Sequence, residues 1–572
     1  MPAILPRSAS STAIFHLISS GYTPAMARIF AARGITQGSE LGTSLNDLLP
    51  FDTLKNAREM ARLLADAIAA QEKILVVADY DADGATACTV AMRGLLAFGA
   101  TVSFLVPNRF EYGYGLTPEI VALAAQSQPD ILLTVDNGIA SIDGVAAANR
   151  LGMRVFVTDH HLPADTLPDA ACIVNPNQPD CPFPSKNLAG VGVMFYVLLA
   201  LRSELRARGA FATQPEPKLA ELLDLVALGT VADVVKLDQN NRVLVQQGLA
   251  RIRAGRGCAG INALLAVARK QAAKLVSMDL GFAIGPRLNA AGRLDDMSLG
   301  IACLLSDDEA QATRIATQLD ALNQERRAIE SDMQDGALAA LDTVQVQDQY
   351  SLVLFDESWH QGVIGILASR LKDKFNRPVI TFARATSGNE LKGSGRSING
   401  LHLRDALDLV SKRHPTLIKK FGGHAAAAGL TIDASSFDQF VAAFEQVVRE
   451  LLDENDLHAR IDSDGSLDAI DLPFVEQLEQ QIWGQGFPAP LFDDDFVVEN
   501  QRVVGEKHLK LRLGKNGASF DAILFGDPTF LPEQIHACYT VSVNEYNGRR
   551  SVQLMIKSTL SPSPSPVNGR GE

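Results

Sequence analysis

Ile74-Leu-Val-Val-Ala-Asp79-Tyr-Asp81-Ala-Asp83-Gly84 is the stretch that decides the fold of this chain. Five apolar residues in a row read as a strand buried on both faces, and the helical pattern beyond Gly84 makes the unit strand, loop, helix. Similar runs recur at 101–106, 131–135 and 154–158, separated by helical stretches. That alternation implies βαβ units and a parallel sheet, in which ligands bind beyond the carboxyl ends of the strands. Here those ends carry Asp79, Asp81 and Asp83, then Asp136, then Asp159-His160-His161. Carboxylates gathered at one edge repel one another, and a bound cation is the natural compensation. Asp-x-Asp-x-Asp-Gly also opens a calcium EF-hand, but position twelve would be Val90 rather than Glu, and a strand precedes the loop. Oxygen ligands with one or two imidazoles suit Mn²⁺ or Mg²⁺ better than structural zinc.

The wider composition limits the alternatives. The 572 residues suggest three or four domains at about 150 residues each. Apolar residues make up 47% and charged residues 21%, which excludes fibrous and wholly disordered classes. A formal charge of −14 argues against a histone-like partner while leaving room for local basic channels. The six cysteines form no CxxC pair, so neither a zinc ribbon nor a disulfide framework is expected. The longest apolar run, 191–201, is too short for a bilayer span of about 20 residues. The N-terminus lacks the apolar core of a signal peptide, so a cytoplasmic protein without membrane contact is expected.

Organisation follows from the patterning. Residues 1–50 read as a polar helical segment, and 51–300 as the α/β domain carrying the acids, with a helical stretch over 189–268. Residues 301–345 form a long connecting helix: Ser306 with Glu309 makes a capping box, and Ile315, Leu319, Leu322, Ile329 and Met333 keep a three-four spacing that Arg326 interrupts. A coiled-coil dimer is the weaker reading of that helix. A second α/β domain is expected over 346–452 and a β domain over 453–560, where Asn547-Gly548 between alternating runs signals a type I′ hairpin. The Ser-Pro repeat within 561–572 reads as an extended, disordered tail.

These residues carry a resemblance. Asp79-Tyr-Asp81-Ala-Asp83-Gly84, Asp136 and Asp159-His160-His161 resemble successive motifs of the DHH phosphoesterase superfamily, and Asp233, in Ala227-Leu-Gly-Thr-Val-Ala-Asp233, resembles its fourth acidic motif. Gly285-Pro-Arg287-Leu-Asn289-Ala-Ala-Gly-Arg293, Trp359-His360-Gln361-Gly362, Gly393-Ser394-Gly395-Arg396-Ser397 and Gly422-Gly423-His424 narrow it to the bacterial single-strand-specific exonucleases over most of the chain. The first thirty residues and the Ser-Pro tail match no such motif.

The resemblance implies a DHH catalytic domain, a DHH-associated second domain and an oligonucleotide-binding (OB-like) barrel. It implies two divalent cations, Mn²⁺ or Mg²⁺, held by Asp81, Asp83, Asp136, His160 and Asp233, with Asp136 as the bridge. Asp159 and His161 join the catalytic set, Asp79 lies close by, and Asp159 suits the role of a carboxylate that orients an imidazole. The implied activity is 5′→3′ degradation of single-stranded DNA to mononucleotides in repair and recombination. Implied partners are a single-strand-binding protein and a DNA helicase, with a monomeric enzyme.

A strand-binding surface is also expected. Between Gln361 and Ala425 stand twelve Lys/Arg against four acids, beside glycine-rich loops whose N–H groups can approach phosphate. Gln361, Ser394, Arg396, Ser397 and His424 are the candidates there. Arg287, Asn289 and Arg293 are expected in a glycine-bounded loop facing the cleft, and Arg109 and Tyr114 follow the second strand. Phe520, Tyr539 and Tyr546 are candidate stacking platforms in the barrel, with core packing the more ordinary fate of Phe520. Two other functions remain open at this level. A DHH enzyme for pyrophosphate, oligoribonucleotides or cyclic dinucleotides shares the acidic centre, and a non-catalytic DNA-binding relative shares the fold but typically loses metal ligands.

Overall fold

The four apolar runs form parallel strands, for the reason their composition gives: β-branched and leucine side chains pack on both faces of a covered sheet. After a short strand β1 (Ala3–Pro6), the first sheet contains β2 (Lys73–Ala78), β3 (Thr101–Leu105), β4 (Ile131–Val135), β5 (Arg154–Thr158) and β6 (Cys172–Val174), in the order β3-β2-β4-β5-β6. Registers such as Ile74↔Ile131 and Leu133↔Phe156 bring the carboxyl ends of β2, β4 and β5 level. The computed structural model describes residues 3–112, 115–341, 346–385 and 388–560. Tyr114, the side chains of Arg109 and Tyr546, and the Ser561–Glu572 tail lie outside the described residues.

Two compact units divide the chain, Met1–Leu5 with Ala321–Ile461 and Pro6–Asp320 with Asp462–Glu572. In the second of these, the sheet is covered by helices that include Ala57–Ala69, Ala82–Ala97 and Gly190–Ala207, and Leu223–Ala232 packs on the last two of them. The same unit holds a closed five-stranded barrel of β13 (Phe492–Val504), β14 (His508–Lys515), β15 (Ala518–Leu524), β16 (Gln534–Tyr546) and β17 (Arg549–Leu560), ordered β13-β14-β15-β17-β16. β16 and β17 pair across Asn547 and Gly548, both at positive φ, as a type I′ turn requires. A separate two-stranded sheet pairs β1 with β12 (Arg460–Ser463).

The N-terminal segment is helical over Ser11–Ser19 and Pro24–Ala31, but it is not simply polar. Phe30 stacks on Trp483 and Phe487, with ring centroids 6.0 and 6.3 Å away. Arg33 pairs with Asp464 at 2.8 and 3.0 Å and donates to the Pro488 carbonyl. Phe487 also lies under Arg242 of the Gln239–Arg253 helix, with 4.4 Å from the guanidinium to the ring centroid, so the segment and that helix share one seam with the chain leading into the barrel.

The other unit contains a mixed sheet of β7 (Leu352–Phe355), β8 (Val379–Arg384), β9 (Glu390–Arg396), β10 (Lys420–Gly423) and β11 (Ala427–Asp433), ordered β10-β11-β9-β8-β7. Phe382 of β8 packs against Phe440, which stacks on Phe444, both on the Phe437–Leu451 helix, and the three anchor its core.

The long helix runs over Glu309–Leu341, and its cap differs from expectation. The Asp308 carboxylate accepts from the N–H groups of Ala310 and Gln311, whereas Ser306 ends the preceding Ser298–Leu305 helix and donates to the Asp308 carbonyl. Arg326, which breaks the apolar spacing, is buried in a polar cluster with Asn323, Glu330 and Arg370. Among the described residues, no helix is long and apolar enough to cross a membrane.

Candidate metal centre

The site grows from the loop after β2. Asp81 caps the Ala82–Ala97 helix, its Oδ1 accepting from Asp83 N at 2.9 Å and Gly84 N at 3.0 Å. This is what an aspartate at an N-cap does, and it places Asp83 in the first turn. Asp83 is buried, and its carboxylate receives the first N–H groups of a second helix: Gly190 N at 2.6 Å and Val191 N at 3.0 Å. Charge-assisted bonds at a helix N-terminus hold the group ionisable in a place that otherwise excludes charge.

Asp136 closes β4 at φ +63, a left-handed conformation that aspartate tolerates better than most residues. Its N–H donates to the Thr158 carbonyl at 3.0 Å. Gly190 lies against it so closely that a Cβ there would meet the Asp136 Cβ at 2.5 Å. Glycine at 190 is therefore a steric requirement of the site.

The third carboxyl end supplies the imidazoles. Asp159 Oδ1 accepts from His160 N, His161 N and His161 Nδ1 at 2.7, 3.1 and 2.7 Å, and Oδ2 accepts from Ile139 N at 2.9 Å. His160 Nε2 lies 3.1 Å from Asp136 Oδ1 and 3.5 Å from Asp233 Oδ2. Asp233 caps the Leu223–Ala232 helix, so four separate elements converge. Among the described residues, three groups each bring their ligand atoms within 4.8 Å of one another: Asp136/His160/His161, Asp83/His160/Asp233 and Asp79/Asp81/Asp136.

The electrostatics agree with a cation site. Burial, with Asp81 adding repulsion, pushes the Asp83 carboxyl up to about 7. Burial and neighbouring carboxylates also raise Asp136 and Asp233. Burial opposes charge on Asp159, but its His161 partner wins and the carboxyl is held low. Burial would lower His161, yet Asp159 and the other acids lift it to about 9. A cluster this acid-rich and this enclosed fits divalent cations, which relieve the repulsion that the residues alone cannot.

The sequence-derived candidates separate in the structure. Asp81, Asp83, Asp136, Asp159, His160, His161 and Asp233 come together, and Asp79 joins them. Arg287, Asn289 and Arg293 lie not in a loop but on the Gly285–Leu294 helix, entered by a π turn over Leu280–Ile284. Pro286 is tolerated in the first helical turn, and Gly292 is required because a Cβ there would sit 1.9 Å from the Tyr80 carbonyl oxygen. Asn289 Oδ1 accepts from Ala82 N at 2.7 Å, and Arg287 pairs with Asp320 at 2.7 Å. Tyr539 is fully buried with its hydroxyl donating to Asp494, so it is core and not a stacking platform; Phe520 is half-buried.

In the other unit, Ser394 and Arg396 stand on β9 against the Ile364–Phe375 helix that follows Gln361. A Cβ at Gly365 would meet Ser394 Oγ at 2.9 Å and Arg396 Nη2 at 3.0 Å. Arg396 donates to neutral acceptors, Ser394 Oγ at 3.2 Å and the Gly395 carbonyl at 2.8 Å, and burial lowers its pKa. His424 sits at the β10–β11 turn, three residues from Ala427, the register partner of Arg396. Ser397 turns inward and donates to the Leu401 carbonyl at 2.9 Å. Much of the local positive surplus is neutralised by acids outside the counted stretch, as in Arg370–Glu330, Arg384–Glu357 and Arg413–Glu450.

Sequence reading missed three supports. Asn175 and Asn177 donate to the carbonyls of His161 and His160 at 2.9 and 2.6 Å, and Gly190 presents its N–H to Asp83. The Asn-Pro-Asn triplet after β6 is the only signal they leave.

Comparison with known proteins agrees with this architecture. The chain matches the DHH family N-terminal domain over residues 73–230, the DHHA1 domain over 348–450 and the RecJ OB domain over 461–558. It is 51% identical to the single-stranded-DNA-specific exonuclease RecJ of Dickeya dadantii over 93% of this chain and 95% of that one. Against the Escherichia coli protein of the same name, identity is 48% over the same shares, 93% and 95%. The crystal structure of Thermus thermophilus RecJ in complex with Mn²⁺ superposes with a TM-score of 0.82 at 30% identity, covering 98% of this chain and 80% of that one. The Mg²⁺ complex gives 0.76 at 29% identity, covering 98% and 78%. With relatives this similar along nearly the whole sequence, the chain belongs to the RecJ family of the DHH superfamily.

Proposed function

We propose that this protein is a metal-dependent exonuclease that degrades single-stranded DNA from the 5′ end to mononucleotides, in DNA repair and recombination. The observation that carries the reading is the sharing of Asp136 and His160 among three ligand groups at one sheet edge, in a chain that also carries an OB barrel. Polarity and product follow from the family.

In this reading Asp81, Asp83, Asp136, His160 and Asp233 hold two divalent cations, with Asp79 and His161 within reach. Asp136 and His160 each belong to two ligand groups, and of the two Asp136, a carboxylate with two oxygens, would be the shared ligand. Bound cations of this kind lower the pKa of a water and stabilise charge on the attacked phosphate and the leaving oxygen. The chain's own part is positional. Asp159 fixes the His161 ring through Nδ1, and Asn175 and Asn177 fix the backbone of the histidine pair. The two helix N–H groups orient Asp83, while Asn289 ties its helix to the Asp81 loop. Arg396, Ser394, Gln361 and His424 serve as contacts to the strand, together with Arg109, Tyr114, Arg287 and Arg293, whereas Ser397, turned inward, supports the loop that follows Arg396. The enzyme acts in the cytoplasm as a monomer, beside a single-strand-binding protein and a helicase that supplies unwound strands.

The rival substrates are separable. The protein is given a long single strand, a dinucleotide, a cyclic dinucleotide and pyrophosphate under identical Mn²⁺. Fast turnover of the long strand alone is expected. Preference for any of the three small substrates would replace this reading with a small-molecule phosphodiesterase.

A further inference from the structure

Asn137 directly follows Asp136 and is buried. Its Nδ2 donates to the Val135 carbonyl of β4 at 3.0 Å and to the Val77 carbonyl of β2 at 3.2 Å. An asparagine amide has two N–H donors, and here each goes to a different strand. Both neighbours are carbonyl oxygens, so only the nitrogen end of the amide can face them. Oδ1 is buried and has no hydrogen-bond partner among the described residues, so the two strand contacts are what the side chain's polarity secures.

The turn around this residue admits little movement. Asp136 holds φ +63 and Gly138 φ +113, and a Cβ at 138 would meet Thr134 Oγ1 at 2.5 Å. On the other side, Ile139 N donates to Asp159 Oδ2 at 2.9 Å and ties the same turn to the end of β5. Strand pairing itself has no need of Asn137, because five register pairs, from Ile74↔Ile131 to Ala78↔Val135, already join β2 and β4. Past Ala78 and Val135 the register ends, and there the two strands give out Asp79 and Asp136. With Asp81, these carboxylates still bring ligand atoms within 4.8 Å of one another.

We infer that Asn137 is a positioning residue: its amide holds the carboxyl ends of β2 and β4 at the separation that makes Asp79, Asp81 and Asp136 one cation pocket. The inference deepens the proposed two-cation reading and rests on it. Val77 lies two residues before Asp79, and Val135 one before Asp136, so little chain is available to absorb a lost bridge. Ligands must be held within about 0.5 Å of the productive geometry, and the outer groups that hold them are worth about 10- to 100-fold in metal affinity. The group Asp83, His160 and Asp233 takes its carboxylates from two helix ends and lies outside this bridge.

The test measures Mn²⁺ binding without DNA, by calorimetry and by the electron paramagnetic resonance of free Mn²⁺, in wild type, Asn137→Ala and Asn137→Asp. Fewer than two ions on wild type would count against the two-cation reading, while the cycle of variants still judges Asn137. Expected is one binding event weakened about 10- to 100-fold in both variants, with the other little changed. In turnover of single strands, the Mn²⁺ needed for half-maximal rate should rise by the same factor, while kcat at saturating Mn²⁺ and KM for the strand stay near wild type. A cycle locates the effect: Asn137→Ala should cost little more in an Asp81→Asn background and its full factor in an Asp233→Asn background. Unchanged Mn²⁺ binding in Asn137→Ala, equal weakening of both events, or equal losses in the two backgrounds would overturn the inference. So would wild-type affinity in Asn137→Asp, which keeps the oxygen and removes the N–H groups; position 137 would then be a ligand. Asn137→Ser, smaller and still a donor, carries the same comparison if Asn137→Ala melts too early to be titrated folded.

Discussion

Asp159 and His161 form the closest side-chain pair in the histidine triplet, with Oδ1 2.7 Å from Nδ1, while the intervening His160 faces Asp136 and Asp233 instead. One carboxylate thus sets the ring of the outer histidine and, through two backbone N–H groups, the turn that presents the inner one. Asp159→Asn keeps the shape but removes the charge that selects the ring's protonation. Metal affinity or turnover should fall about 10- to 100-fold, the usual consequence of losing such a support. The check is the Mn²⁺ dependence of the rate; an unaltered half-saturation and maximum would remove Asp159 from this role.

Without metal, the cluster should make the protein less stable as pH rises. Asp83, raised to about 7, and His161, raised to about 9, both bind protons more tightly folded than unfolded. Their stabilising contributions are complete below the unfolded pKa values and are lost as pH climbs through 7 for Asp83 and 9 for His161. The low pKa of Asp159 acts at the acidic end, outside this window. In chelator, Tm should fall between about pH 6 and pH 9, and Mn²⁺ should restore more at the upper end. Asp83→Asn should flatten the part near pH 7. A chelated protein whose Tm is constant or rises over that range would contradict the electrostatic picture.

Arg396 donates to Ser394 Oγ and the Gly395 carbonyl, so its charge remains available to a phosphate. Arg396→Ala should weaken single-strand binding and lessen the salt slope by about 0.7, the value for one phosphate on a single strand. Titrations at several salt concentrations read the slope directly. Unchanged affinity with an unchanged slope would make the residue purely structural.

Arg33 and Asp464 are each only 1% exposed, and the pair ties the N-terminal segment to the chain entering the barrel. Arg33→Ala removes the bidentate partner of a buried carboxylate and leaves only Arg7, 3.9 Å away, so it should destabilise the protein by about 3 kcal/mol, the lower end for a broken buried pair. Hydrogen exchange should locate the loss at residues 462–492. A melt within about 1 kcal/mol of wild type would show that the seam depends on the stacked Phe30, Trp483 and Phe487 rings instead.

What the sequence could reveal depended on how locally each feature is encoded. β2, β4 and β5 were legible because doubly buried strands are continuous apolar runs, and the acids at their ends inherit a common edge from parallel topology. The β16–β17 hairpin was legible because positive φ at two successive residues demands Asn-Gly. β6 was not, since Cys172–Val174 is too short to show a period. The Gly285–Leu294 helix read as a loop because Gly285, Pro286 and Gly292 are ordinarily breakers; Gly292 is there for the Tyr80 carbonyl, a contact made far along the chain. Gly190 was silent for the same reason. Ser306 offered a plausible cap, but the Asp308 carboxylate is the one in place. Tyr539 looked like a platform because alternation does not say which face of a closed barrel is inside. The tie between Arg33 and Asp464, 431 positions apart, leaves no local trace.

The central claim is that the carboxylate cluster holds the metal that cuts single-stranded DNA. The most direct measurement follows release of a 5′ label from a single strand and from a blunt duplex. Wild type and Asp136→Asn are assayed in Mn²⁺, and wild type also in chelator; asparagine accepts the left-handed φ of position 136 and so preserves the fold. The account predicts prompt release of labelled mononucleotide from the single strand by wild type with Mn²⁺. Release should be little from the duplex, none in chelator, and at least about 100-fold slower in Asp136→Asn, as expected when a shared ligand of a two-metal centre is lost. Release that persists at the wild-type rate in Asp136→Asn, or in chelator, would contradict it.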